Sequence, residues 1–190
     1  MKIFKRAVSI FLALALLFAL TACGNDGSGA ALSYPIESQP ECLDPQIAQG
    51  AEAKTVVLNC FEGLVRKDSE GKFSPAAAKS WSYDSASLTY TFKLRDDARW
   101  VIMKKAYKSI LGDDIDNTFD SRVTAADFVF ALKRAVNPAT GAPEAMSLGV
   151  IKNAKSIING KLSPDKLGVS AVGDFELRIT LEHATDEAAF

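Results

Sequence analysis

Two runs of strictly alternating residues set most of what this chain can fold into. In the first, Leu88, Tyr90, Phe92 and Leu94 alternate with Thr89, Thr91 and Lys93. In the second, Phe175, Leu177, Ile179 and Leu181 alternate with Glu176, Arg178, Thr180 and Glu182. Successive side chains of a strand point to opposite faces, so each run reads as a strand with one buried side. Leu167 to Val172 and the Gly173-Asp174 pair precede the second run, which predicts a hairpin with a two-residue loop. Between the runs lies a segment with helical period. Thr124 is a natural N-cap with Asp127 three residues later. Ala125, Phe128, Val129, Leu132 and Val136 form one apolar face, Lys133 and Arg134 suit the C-terminal dipole, and Asn137-Pro138 stops the helix. One-sided strands and a one-sided helix satisfy each other by packing, which predicts an α+β domain.

Shorter elements fill in the order. Leu32 to Ile36 reads as an edge strand interrupted by Pro35, and Pro40 and Pro45 forbid a helix in the stretch that follows. Ala51 to Phe61 reads as a helix with an apolar set at Val57, Leu58 and Phe61, and Gly63 lies just past its end. Leu64-Val65 begins a strand, a turn covers Asp68 to Gly71, and Trp81 and Tyr83 sit two apart. Val150 to Ile158 reads as a short helix ending near Asn159-Gly160.

The first 22 residues stand apart from this pattern. Lys2, Lys5 and Arg6 are followed by an apolar stretch from Ile10 to Leu20 and by the small residues Thr21 and Ala22, the order of a secretory leader. Ala7 to Ala22 is uncharged but short of the about 20 residues a membrane span needs. The cysteine that follows makes Leu20-Thr21-Ala22-Cys23 resemble a bacterial lipobox. That resemblance implies that Cys23 is lipidated, so the chain is expected outside the cytoplasm and held on the cell membrane. Residues 1–22 are then a lipoprotein signal peptide and 23–31 a lipidated, flexible tether rich in Gly, Ser and Asn.

Composition excludes several classes. Without the leader, 19 basic residues face 23 acidic ones, and no basic stripe interleaved with aromatics suggests a nucleic-acid partner. Cys42 and Cys60 lack metal-ligand spacing, and sequence does not decide between a disulfide and free thiols. His183 is the one histidine and reads as a polar surface residue; neither Gly-x-Ser-x-Gly nor His-Glu-x-x-His occurs. No catalytic residue, metal site or cofactor is therefore expected, and the chain is not expected to be an enzyme.

Short motifs then line up in order: Leu43-Asp44-Pro45, Phe61-Glu62-Gly63-Leu64-Val65, Pro75-Ala76, Trp81, and Leu88 to Arg95. Trp100, Thr124 to Val129, Lys133-Arg134, Asn137-Pro138, Gly160-Lys161 and Leu167-Gly168-Val169 complete the series. Together they resemble the oligopeptide/dipeptide-binding family of extracellular solute-binding proteins (family 5) that serve ABC importers. The resemblance implies the N-terminal portion of a two-lobed periplasmic-binding-protein-like fold (class II, cluster C type), with a mixed sheet and packed helices. Residues 32–190 would form part of the N-terminal lobe, the second lobe lying outside this sequence. It also implies an oligopeptide ligand, permease subunits of an ABC transporter as partners, and the membrane through the lipid anchor.

The family's Trp-x-Asp-Gly pattern is missing after Trp100, where a longer segment, Val101 to Arg122, carries Asp113, Asp114, Asp116 and Asp120. Its spacing fails the EF-hand pattern, because Phe119 stands where glycine belongs. Ser38 to Cys42 matches the family strand that borders the ligand cleft, so the backbone at Pro40, Glu41 and Cys42 supplies the candidate ligand contacts, with an ordinary edge loop as the alternative. Pro40 offers only its carbonyl there. Other readings stay open: a different solute such as nickel, haem or a sugar, a fragment that does not bind, a secreted lipoprotein enzyme, or a surface sensor or chaperone on the same lobe.

Overall fold

The computed structural model describes residues 33–102, 107–109 and 119–184. The leader, Cys23 and the acidic residues Asp113, Asp114 and Asp116 lie outside them. The chain divides into two units, residues 1–36 and 37–190. Of the first, residues 33–36 carry no strand, so the edge strand expected over Leu32 to Ile36 is not found there. Every element below belongs to the second unit.

That unit runs α1 (Ala51–Cys60), β1 (Val65–Lys67), β2 (Phe73–Pro75), β3 (Ala78–Asp84), β4 (Thr89–Leu94), α2 (Ala125–Val136), α3 (Ala154–Ile158), β5 (Val169–Ala171) and β6 (Glu176–Thr180). Short 3-10 turns at Pro138–Thr140, Ala145–Val150 and Pro164–Lys166 join the later elements. β1 and β2 form a small hairpin, and the other strands form a four-stranded sheet in the order β3-β4-β6-β5. Helices packed on a sheet bear out the α+β reading. Every pairing among the described strands is antiparallel, where a mixed sheet was expected. For β1–β2, β3–β4 and β5–β6 the reason is local, since these are hairpins and antiparallel neighbours are what short turns produce, whereas β4 and β6 meet antiparallel through a long connection.

Both alternating runs behave as expected. Tyr90, Phe92 and Leu94 of β4 point inward, beside Leu177 and Ile179 of β6, and all five are buried. The register sets Phe92 opposite Leu177 and Tyr90 opposite Ile179. Their polar alternates meet on the outer face, where the Thr89 and Thr180 hydroxyls lie 3.1 Å apart and Lys93 pairs with Glu176. α2 closes the inner face through Ala125 and Val136, both fully buried, with Phe128, Val129 and Leu132 packed against the same cluster. Its start carries the expected cap: Asp127 accepts the Thr124 backbone N–H at 2.7 Å, and the Thr124 side chain takes the reciprocal place.

Two helix expectations are corrected. Val150 to Ile158 is not one helix: a 3-10 turn ends at Val150, Ile151 bridges to Leu181, and α3 begins only at Ala154. Asn153 takes the left-handed conformation between them (φ 68°), which its short amide tolerates, and its side chain donates to the Lys166 carbonyl at 2.6 Å. In α1 only part of the apolar set turns inward: Val57, one turn after Ala53, is half-buried, while Leu58 and Phe61 are exposed. Ala53 is the buried residue, whereas Leu58 is 78% exposed. Five residues turn a helix by about 140° beyond one full turn, so Leu58 looks away from the side that docks.

Gly168 is required by close approach. Its N–H donates to Lys152 (2.9 Å), its carbonyl accepts from Thr180 (2.7 Å), and Lys152 N–H donates to the Thr180 carbonyl (2.9 Å). A Cβ there would sit 2.7 Å from the Lys152 Cβ and 2.9 Å from the Thr180 carbonyl oxygen.

The long segment after Trp100 leaves and re-enters the fold at one place. Trp100 N–H donates to Ser121 (2.7 Å), Val123 N–H donates to Ala98 (3.1 Å), and Arg99 pairs with Arg122 in an isolated bridge. Arg122 is further held by Asp120 (2.7 Å) and by Asp174 of the β5–β6 turn (2.8 Å). With the base paired, replacing residues 102–119 by a four-residue Gly/Asn turn should preserve cooperative unfolding. The shorter loop lowers closure entropy by about 1 kcal/mol, so the melting temperature by circular dichroism should hold or rise. A loss of the unfolding transition would show that the fold depends on the segment.

Candidate functional site

The segment from Glu37 to Gly50 leads into α1 and contains the candidate ligand contacts. It is a loop without a strand, with bends at Glu37, Ser38 and Glu41 and a turn over Pro45 to Ile47, which matches the edge-loop alternative and not the strand. Pro40 and Cys42 are half-buried and Glu41 is exposed. Among the described residues, no backbone group of Ser38 to Cys42 is bonded to another backbone group. Such an edge has donors and acceptors to offer, and Pro40 lacks the donor.

What fixes this loop is the Leu43-Asp44-Pro45 motif just after it. Asp at the first and Pro at the second position favour a tight turn, and Ile47 N–H donates to the Asp44 carbonyl at 3.1 Å. Ala48 N–H reaches the same carbonyl at 2.8 Å, and Gln46 N–H donates to Asp44 Oδ1 at 3.0 Å. Arg134, on the last turns of α2, then grips the turn. Its Nη1 donates to Asp44 Oδ1 (2.9 Å) and to Gln46 Oε1 (2.8 Å), and its Nη2 to Asp44 Oδ2 (2.5 Å). Gln46 returns a bond from Nε2 to the Ala131 carbonyl at 2.7 Å. The Arg134 hydrogen bond, reinforced by the Gln46 N–H, holds the Asp44 carboxyl below the usual carboxylate range. Asp44 in turn raises Arg134 further above its ordinary value.

Sequence reasoning missed this link. Lys133 and Arg134 read as complements to a helix dipole, yet Lys133 pairs with Asp165 (2.9 Å) and Arg134 reaches back 90 residues to Asp44. The one signal available was that Leu-Asp-Pro and Lys-Arg both belonged to the same ordered motif series.

Two of the hollows on the surface are formed among the described residues. One, of about 270 Å³, lies behind the turn among Pro45, Gln46, Lys54, Val57, Glu144 and Leu148. None of Pro40, Glu41 and Cys42 lines it. The other, about 380 Å³, is a shallow polar dish on the outer face of the sheet, among Thr89, Thr91, Ser170, Arg178 and Thr180. Phe61 and Trp100 meet edge to face at 6.4 Å on another exposed stretch. Cys42 and Cys60 are free thiols, and Asp44 N–H points at Cys42 Sγ (3.4 Å). His183 is exposed. Among the described residues no cluster of His, Cys, Asp and Glu has metal-binding geometry.

Comparison with known proteins shows what the chain as a whole is similar to. A family profile described as bacterial extracellular solute-binding proteins, family 5 middle region, matches residues 72–190. The periplasmic oligopeptide-binding protein OppA of Haemophilus influenzae is 41% identical over 73% of this chain, which covers 23% of OppA. The probable deoxycholate-binding periplasmic protein YgiS of Escherichia coli is 36% identical over 78% of this chain, which covers 25% of YgiS. The crystal structure of H. influenzae OppA in complex with the peptide RPPGFSPFR superposes with a TM-score of 0.64 at 38% identity, over 80% of this chain and 26% of OppA. The chain thus spans about a quarter of the length of these relatives.

The Asp44–Arg134 pair has a pH signature. A carboxyl held low in the folded state contributes stability that is complete above its unfolded value, near 3.8, and is lost as pH falls through the folded value. Asp44→Asn removes that contribution. In urea titrations the stability gap between the parent and Asp44→Asn should be constant above about pH 5 and shrink steadily below pH 4. A gap that does not change with pH would show that the pair carries no such coupling.

Proposed function

The chain belongs to family 5 of the bacterial extracellular solute-binding proteins, and on that premise we propose that it captures oligopeptides outside the cytoplasm and delivers them to the permease of an ABC importer. Residues 32–190 form part of the N-terminal lobe, residues 1–22 act as a lipoprotein signal, and residues 23–31 tether the lobe to a lipid on Cys23. No catalytic role is assigned to any residue.

The observation that carries the reading is that the backbone of Ser38 to Cys42 has no backbone partner among the described residues and lies beside a firmly anchored turn. An extended peptide laid along it is held by main-chain hydrogen bonds, which every peptide provides whatever its side chains. Pro40 contributes its carbonyl, while Glu41 and Cys42 contribute both donor and acceptor. Broad tolerance of sequence follows from this chemistry. The similarity to YgiS favours a second reading, in which the same scaffold takes a different solute.

Thermal shift separates these readings. Tri- to pentapeptide pools are compared with free amino acids, deoxycholate, nickel, haem and simple sugars. Ligand at a hundred times its Kd stabilises by about 2.7 kcal/mol, which raises the melting temperature by roughly 5–10 °C for a domain of this size. A shift with peptides and none with the other solutes is expected. A shift with one of the others alone would transfer the assignment to that solute, and no shift with peptides would remove the peptide reading. The tether has its own test. Two or more acyl chains give stable anchoring where one gives marginal binding, so Cys23→Ser should move the protein from the membrane fraction to the soluble one. Retention on the membrane by the variant would count against lipidation at Cys23.

A further inference from the structure

We propose that Arg134 is a positioning residue for ligand capture: through Asp44 and Gln46 it transmits the rigidity of α2 to the open backbone edge at Pro40–Cys42. The proposal rests on the peptide reading of that edge and assigns the group that sets its geometry.

The edge cannot place itself. A strand in a sheet is located by the ladder beside it, but Ser38 to Cys42 have no backbone partner among the described residues. Their place is set from the adjoining turn, where Asp44 accepts from its own loop and from Arg134 at once. Arg134 stands on a helix whose two ends, Ala125 and Val136, are fully buried against the sheet. Its fork contacts both Asp44 oxygens, which fixes angle as well as distance. The third contact, to Gln46, is doubled by the Gln46 bond to the Ala131 carbonyl, so the turn is tied to α2 at two points. A binding edge held in its bound geometry spares the ligand the ordering cost, so affinity is sensitive to this clamp although Arg134 itself need not touch ligand. Lysine supplies the charge but not the planar fork, so it restores the clamp only in part.

The test uses the full chain carrying Cys23→Ser and Cys60→Ser, which leaves Cys42 as its single thiol. Cys42 is half-buried on the edge, so its reaction rate with an aromatic disulfide reports how firmly the edge is held. Arg134→Ala should speed the reaction about tenfold and weaken peptide-pool binding by a similar factor, with Arg134→Lys in between. Removing a nearby cation by itself lowers a thiolate fraction and slows such a reaction, so an acceleration reports motion rather than charge. Lys133→Ala, which breaks the neighbouring pair with Asp165, should change neither quantity. If Arg134→Ala does not fold, the milder Gln46→Ala, which changes no charge, is read in the same way. A merely structural role would lower the melting temperature and leave both the thiol rate and the Kd of the folded protein unchanged, which would overturn the proposal. If the parent binds no peptide, the peptide reading fails on its own. The thiol rates then decide the clamp separately: an acceleration sustains it and an unchanged rate overturns it.

Discussion

The pairing of β4 with β6 is the constraint on which the other parts depend. Thr89 and Thr180 are 91 residues apart in sequence, and between them the chain must complete an excursion, two helices, the strand β5 and several turns before the two strands meet. Once they meet, Phe92 and Tyr90 lie beside Leu177 and Ile179, and the apolar floor that results is what α2 and α3 cover. β3 and β5 then add at the two edges through their hairpins. A domain organised around so distant a pairing collects its loop-closure cost early and its packing gain late, which places it among the slower folders.

That floor also explains how a surface loop acquires a fixed position. α2 is immobilised by its buried ends, and its last turns present Arg134 to the segment before α1. The ordering runs outward from the β4–β6 core to α2, from α2 to the Asp44 turn, and from the turn to Ser38–Cys42, whose backbone has no backbone partner among the described residues.

How much of this the sequence displayed depends on the range of the interaction. β4, β6 and α2 were legible because their signals are local: alternation in Leu88 to Leu94 and Phe175 to Leu181, and a cap and a 3.6-residue face from Thr124. The β5–β6 hairpin was legible for the same reason, but its loop was not: Ala171 pairs with Leu177 and the Val172 N–H donates to the Glu176 carbonyl (2.8 Å), which leaves three residues, Gly173 to Phe175, in the turn where two were expected. The break before α3 was not, since a continuous apolar run from Val150 hides the bridge from Ile151 to Leu181. Leu58 was misread because periodicity gives a face but does not say whether anything lies opposite it. The clamp was not legible from local pattern. Nothing near Arg134 distinguishes a dipole-complementing cation from one aimed at a carboxylate 90 residues upstream. At Ser38 to Cys42 the placement came from family resemblance, and the local chemistry of Pro40 argued only against a helix.

The three-way meeting at Gly168 bears on how the molecule breathes. Gly168, Lys152 and Thr180 exchange three backbone bonds at a single point, so none of β5, β6 and the approach to α3 separates from the others without breaking at least two of them. The start of β5 is therefore bonded on two sides, to β6 and to the approach to α3, so opening the sheet edge at that end also loosens the entry to the short helix.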